Sequence, residues 1–201
     1  MKNFVFISPN FPTNYWKFCK ELRGNGLNVL GVGDCPYDEL NPELKLSLTE
    51  YYRVNSLENY DEVYRAVALF AFKYGRIDFI ESNNEYWLEL DAKLRTDFNV
   101  CSGFKEEDMA RVKHKSKMKE YYKKACVVTA RYCMTTSVEE CKKFIAKVGY
   151  PVIVKPDNGV GANDTYKLSS DEELKKFFNE KPPVEYIMEE FVEAEVNSYD
   201  A

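Results

Sequence analysis

The sequence predicts an α/β fold: a parallel sheet with helices on its faces, followed by a smaller α+β unit. Three observations predict it. Short apolar runs of strand formers alternate with segments of helical periodicity. The first half keeps the strand, helix, strand order that parallel sheets need. The second half opens its helices with capping boxes, Ser137-x-x-Glu140 and Ser170-x-x-Glu173.

Phe4-Val-Phe-Ile7 reads as the first strand. A helix follows over Asn14 to Leu22, with Trp16, Cys19 and Leu22 at helical spacing and Gly24 and Gly26 ending it. Leu27 to Val32 is the next strand. Asp61 to Tyr74 places Val63, Val67, Phe70 and Phe72 on a helical pattern closed by Gly75; the strand Ile77 to Ile80 and a helix from Trp87 to Phe98 come after it. Past Gly103 the run EEDMARVKHKSKMKEYYKK is charged and basic, as suits a helical passage between domains. The second half has a strand at Arg131 to Met134. Its first helix carries Val138, Cys141, Phe144, Ile145 and Val148 on one face and ends at Gly149. The strands Pro151 to Lys155, Thr165 to Leu168 and Val184 to Glu190 complete it, with the Ser170-capped helix before the last. No solenoid-period repeat or low-complexity tract interrupts the pattern.

With 201 residues, 45% apolar and 15% aromatic, the chain can close one full core and a smaller one. Lysine and arginine total 28 against 33 acidic residues, a net charge of -5, so nothing draws it to nucleic acid or anionic lipid. Its six cysteines form no CxxC pair and have one histidine, His114, for company; they read as reduced thiols, mostly filling the core, with no metal site. The fifteen tyrosines read as core residues too, and His114 as a solvated helix residue. The opening MKNFVFISPN holds too short an apolar run for a signal peptide, and no later stretch reaches membrane-spanning length. A cytoplasmic location without a membrane partner is the expectation.

Gly149-Tyr-Pro-Val-Ile-Val-Lys-Pro-Asp-Asn-Gly-Val-Gly-Ala162 carries the most chemistry: a buried strand delivers Lys155 into a loop with two glycines. A phosphate chain is bound by such a pairing, because glycines let backbone N–H groups approach closely and the strand fixes a positive charge. Taken alone, the segment fits a solvated lysine and an ordinary hairpin equally well. Lys115 lies earlier, in Val-Lys-His-Lys-Ser-Lys-Met118, and Tyr186-Ile-Met-Glu-Glu-Phe-Val-Glu-Ala-Glu195 lies beyond.

In this order the three segments resemble the ATP-grasp superfamily of carboxylate-amine and thiol ligases, which carry a lysine before a helix, a Tyr-Pro-Val-x-x-Lys-Pro strand with a glycine loop, and a Glu-Glu-Phe hinge. The opening half is similar to the family's pre-ATP-grasp domain, including Asn84-Glu85-Tyr86-Trp87 and Leu94-Arg95-x-x-Phe98-Asn99-Val100. The resemblance implies a Rossmann-like pre-ATP-grasp domain over 1–108, a linking helix over 109–125, the small α+β lid domain over 126–192, and the start of a large domain at 193–201. It implies that Lys115 and Lys155 contact the ATP phosphates, with Gly159 and Gly161 in the loop over them. Glu189, Glu190 and Val192 would read the adenine edge, and Glu195 would hold the ribose hydroxyls. Mg2+ ligands, and the other residues that act on the transferred phosphate, are expected after the hinge, so no metal ligand and no catalytic residue is assigned here.

The loop departs from the family in Gly161-Ala-Asn-Asp-Thr165, where Asp164 brings negative charge toward the phosphates. Glu85 and Arg95 read as a surface ion pair, with contact to an acceptor substrate as the alternative. The implied activity is ATP-dependent activation of a small carboxylate as an acyl phosphate, then attack by an amine; a homodimer is compatible with it. A nucleotide-binding module that needs a partner is the alternative. A nicotinamide-dependent oxidoreductase is opposed by the first strand-to-helix turn, Ser8-Pro-Asn-Phe-Pro12, which lacks glycine.

Overall fold

The computed structural model describes residues 1–159, 164–195 and 197. Its contacts gather into two compact units, Met1–Met109 and Ala110–Ala201. The first unit runs β1 (Asn3–Ile7), α1 (Trp16–Gly24), β2 (Asn28–Gly33), α2 (Pro42–Ser47), β3 (Glu50–Arg53), α3 (Tyr60–Tyr74), β4 (Phe79–Glu81) and α4 (Leu88–Asp97). Its four strands are all parallel, in the order β3-β2-β1-β4.

Alternation along β1 and β2 divides the core. Val5, Ile7, Leu30 and Val32 pack with Val63, Val67 and Phe70 of α3 and Leu94 of α4, while Phe6 and Val29 pack with Cys19 of α1 and Leu44 of α2. Both faces of the sheet are covered, which is why these strands read as continuous apolar runs. Gly31 and Gly33 in β2 have a packing role: a Cβ at Gly33 would sit 2.6 Å from the Tyr51 hydroxyl, and one at Gly31 3.0 Å from Leu48.

Arg95 is 3% exposed, not a surface residue. Its guanidinium donates to Ile80 O (2.8 Å), Phe104 O (2.9 Å) and Glu81 Oε2 (2.7 Å). A Cβ at Gly103 would meet the Arg95 Cζ at 2.9 Å, and Gly103 also has φ +79°, so glycine is required there on both counts. Neither the surface pair nor contact with a substrate suits an arginine so enclosed. One turn earlier Asp91 is fully buried, and its Oδ2 accepts from the N–H (2.9 Å) and Oγ (2.6 Å) of Ser82.

The second unit follows α5 (Met109–Lys113) with α6 (Lys115–Lys124), β5 (Tyr132–Met134), α7 (Val138–Val148), β6 (Val152–Pro156), β7 (Tyr166–Leu168), α8 (Asp171–Glu180) and β8 (Tyr186–Glu190). The charged stretch thus forms two helices, broken where His114 pairs with Asn158 as an isolated bridge. The sheet is antiparallel in the order β5-β8-β6-β7. Val152, Val154, Leu168, Tyr186 and Met188 pack on Cys141 and Ile145 of α7 and Leu174 and Phe177 of α8. Ser137 and Ser170 cap α7 and α8, each accepting from the N–H three residues on, while the glutamates of the expected boxes turn elsewhere, Glu173 to the Ser169 N–H (2.6 Å) and Glu140 to Lys143 (2.6 Å).

Cys19 and Cys141 are buried, but Cys101 and Cys126 are exposed, so the thiols are core residues only in part. Tyr121 and Tyr122 are likewise exposed while Tyr186 is enclosed. No helix among the described residues is long and apolar enough to cross a membrane.

Candidate functional site

The sheet of the second unit has one face on its core, and the alternation along β6 and β8 turns Lys155 and Glu189 to the other. Lys155 lies opposite Ile187, and Glu189 opposite Ile153, so the two ionic residues are diagonal neighbours. Their charges meet: Lys155 Nζ is 2.7 Å from Glu189 Oε2. The other oxygen of Glu189 takes Lys119 Nζ at 3.0 Å, with the Lys119 and Glu189 side chains 10% and 11% exposed. Lys119 belongs to α6, which is tied to β5 by the Tyr132 hydroxyl donating to Ser116 O (3.4 Å).

Lys115 stands one turn before Lys119 on α6. Its ammonium donates to the carbonyls of Pro156 (2.9 Å), Gly159 (3.3 Å) and Asp157 (3.4 Å), at the root of the glycine loop. Lys115 and Lys155 therefore converge on the end of β6 from different elements. The N-terminus of α6 is fastened there as well. Asp157, 2% exposed, accepts from the Ser116 N–H (2.7 Å) and Oγ (2.9 Å) and lies 3.0 Å from His114 Nδ1. Its carbonyl accepts the Lys115 N–H (2.9 Å). A carboxylate at a helix N-terminus satisfies orphan N–H groups and suits the helix dipole. His114 is thus part of a fixed cluster, where the sequence suggested a solvated position.

The other sequence-derived residues spread out from this centre. Glu190 turns its carboxylate to Arg131, accepting from the Arg131 N–H (2.7 Å) and Nε (2.7 Å); that partnership holds its pKa below the usual carboxylate value. The Glu190 N–H donates to Arg131 O (3.0 Å). Val192 and Glu195 follow β8 and are exposed. Gly161 lies outside the described residues, as do 196 and 198–201 within the expected start of a large domain. Asp164 adopts a left-handed backbone, φ 54°. Lys119 and Asp157 were not singled out from the sequence, although the i, i+4 spacing of Lys115 and Lys119 would have put both on one face of a helix.

Two lysines flanking Glu189 on the sheet face turned away from the core, and a third at the root of the glycine loop, suit a polyanion. Mg2+ fits less well. Among the described residues one group gathers metal-competent atoms, His114, Asp157 and Glu185. The Asp157 carboxylate is already engaged by Ser116 and His114, and a histidine nitrogen is a poor partner for a cation that prefers oxygen ligands.

Replacing Asp157 by alanine is expected to cost the second unit about 2–3 kcal/mol, from hydrogen bonds to a buried charge and a lost helix cap. Far-UV circular dichroism in urea would register the loss. An unchanged second-unit transition would contradict the pinning role of this residue.

Residues 110–190 match the family described as carbamoyl-phosphate synthase L chain, ATP binding domain. The carbamoyl phosphate synthase large chain of Bifidobacterium longum (strain DJO10A) is 24% identical over 144 residues, covering 72% of this chain and 13% of that relative. The biotin carboxylase domain of the Hydrogenobacter thermophilus 2-oxoglutarate carboxylase superposes with a TM-score of 0.74 at 18% identity, over 96% of this chain and 44% of that one. Phosphoribosylglycinamide synthetase from Anaerococcus prevotii gives 0.66 at 23% identity, over 96% and 46%. The chain therefore spans less than half the length of these relatives. Residues 110–190 thus match an ATP-binding domain, and the chain, with a parallel-sheet unit and an antiparallel one, shares the fold of these solved structures.

Proposed function

We propose that the second unit binds ATP, and that the chain supplies the nucleotide-clasping part of a cytoplasmic carboxylate-amine ligase. The observation that carries this reading is that Lys115 holds the carbonyls at the end of β6 while Lys155 and Lys119 flank Glu189 on the sheet face turned away from the core. ATP, when bound, would supply the γ-phosphoryl group that activates a carboxylate as an acyl phosphate for attack by an amine.

On this reading Lys155 and Lys119 face the phosphates, their charges held in place by Glu189. Lys115 fixes the root of the loop through three carbonyls. Positioning and charge neutralisation are what such residues contribute to phosphoryl transfer. The exposed segment after β8, with Val192 and Glu195, would meet the adenine and ribose. Residues 126–192 would act as the lid and 1–108 as the pre-ATP-grasp domain. The Hydrogenobacter thermophilus structure is a complex with MgADP, which favours the same assignment.

Calorimetric titration of the 201-residue chain with ATP tests the proposal. Lys155→Met is expected to weaken binding about 10- to 100-fold, the worth of one charge-assisted contact. ATP affinity that is the same in Lys155→Met and the parent chain would overturn the reading. A nucleotide-binding module completed by a partner is the second reading: in the cluster of His114, Asp157 and Glu185 the Asp157 carboxylate is already engaged by Ser116 and His114. Robust ATP turnover by the chain alone would eliminate it.

A further inference from the structure

In the first unit β2 and β3 lie to one side of β1 and β4 lies to the other. The chain reverses its direction of winding between β1 and β4, and a crevice opens outside the carboxyl ends of parallel strands at such a point. A cavity of about 400 Å³ occupies it, lined among others by Ser8, Asn10, Phe11, Asp34, Tyr86 and Trp87. That volume is in the range of small-molecule sites.

The walls are built to hold their shape. Ser8, just after β1, and Asn83, just after β4, both adopt left-handed backbone, φ 54° and 53°. The Ser8 N–H donates to Val32 O (2.8 Å), and the Tyr15 hydroxyl donates to Asn83 O. Ser82 ties the β4 loop to buried Asp91. Tyr86 and Trp87 stand edge to face, ring centroids 4.7 Å apart at 86°, and the Tyr86 hydroxyl donates to Glu58 Oε1 (2.5 Å).

The charge of the lining selects the ligand. Asp34 is its single charged residue. The neighbouring cation, Arg53, is outside the lining and directs Nε to the Asp34 backbone carbonyl (3.4 Å). A phosphate or carboxylate entering the crevice would meet Asp34 with no lysine or arginine in the wall to offset it. An ammonium would find a carboxylate, amide and hydroxyl oxygens, and the faces of aromatic rings, all of which attract a cation.

We propose that this crevice binds the amine substrate of the ligase as its small, cationic ammonium form, with Asp34 as the counter-charge and Tyr86 and Trp87 as the aromatic wall. The proposal rests on the ligase reading for the word substrate, but not for the binding itself.

The test titrates the 201-residue chain with tyramine, agmatine and putrescine, and with N-acetyltyramine and 4-hydroxyphenylpropionate as neutral and anionic counterparts. Both tryptophans, Trp16 and Trp87, belong to the first unit, so their fluorescence reports on it alone; amide resonances of Ser8, Asp34 and Tyr86 locate the site. At least one amine is expected to saturate the signal. N-acetyltyramine, 4-hydroxyphenylpropionate and the Asp34→Asn variant are each expected to bind at least about tenfold more weakly, as the loss of a charge-assisted contact implies. No binding by any of the three amines, equal binding of the neutral or anionic compounds, or undiminished binding by Asp34→Asn would overturn the proposal. ATP binding is read separately by calorimetry with Lys155→Met. Failure there with amine binding intact would count against the ligase reading, and the converse against the crevice.

Discussion

Replacing Arg95 by methionine is expected to destabilise the first unit by about 3–5 kcal/mol, the cost of removing one partner from a buried charged network. The guanidinium serves Ile80 O, Phe104 O and Glu81 together from a position 3% exposed. Methionine fills much of the volume but donates nothing, so two backbone carbonyls lose that donor inside the protein. It also removes the cation 4.0 Å from the buried Asp91. A urea titration followed by tryptophan fluorescence would show the midpoint fall. A loss below about 1 kcal/mol, typical of an exposed pair, would mean that the arginine is not held as described.

Asp91 gives the second large effect, one that depends on pH. Burial is the main cause that pushes its pKa up, from the ordinary 3.8 to about 7; the negative Glu81 adds to it, while bonds from Ser82 and the charge of Arg95 act against it. A carboxyl whose folded pKa is raised holds its proton more tightly when folded. Its contribution to stability is complete below the unfolded value and is lost as pH rises through about 7. At about 1.4 kcal/mol per tenfold in proton affinity, the full span is on the order of 4 kcal/mol. The Asp91→Asn variant, always neutral and still able to accept from Ser82, is expected to match the parent chain near pH 4 and exceed it in first-unit stability near pH 8. If the difference between the two chains is the same at both values, Asp91 does not titrate in this window.

Periodicity made most of this architecture legible. The α3 stripe and the Ser137 and Ser170 caps are local signals, and the structure keeps them because the tertiary contacts agree with them. The stretch between β2 and α3 was not legible. The strand β3 is four residues, Glu50-Tyr-Tyr-Arg53, without apolar alternation, and α2 is barely longer than one turn, although Asn41 and Pro42 mark its start. Both owe their place to contacts distant in sequence, such as Lys73 with Glu50 (2.5 Å).

In the candidate site, Lys155 could be found because a strand ends on it, and Lys115 because a resemblance pointed to it. Lys119 shares a helix face with Lys115 by its spacing, but only β8 brings Glu189 to it and sets it apart from the other lysines of that helix. Arg95 was misread for a related reason. A charged residue on a helix is usually solvated, and the turn at Gly103 that closes over its guanidinium cannot be seen in a string of letters.

The carboxylate of Glu189 between Lys119 and Lys155 has one more consequence. Two ammonium groups gathered on a protein surface repel each other, and a site that assembled them only on demand would work against that repulsion with every arrival. Here an internal anion cancels it in advance. An incoming polyanion would then exchange counter-ions with a framework already set, and little rearrangement of the cations would separate the empty state from the filled one.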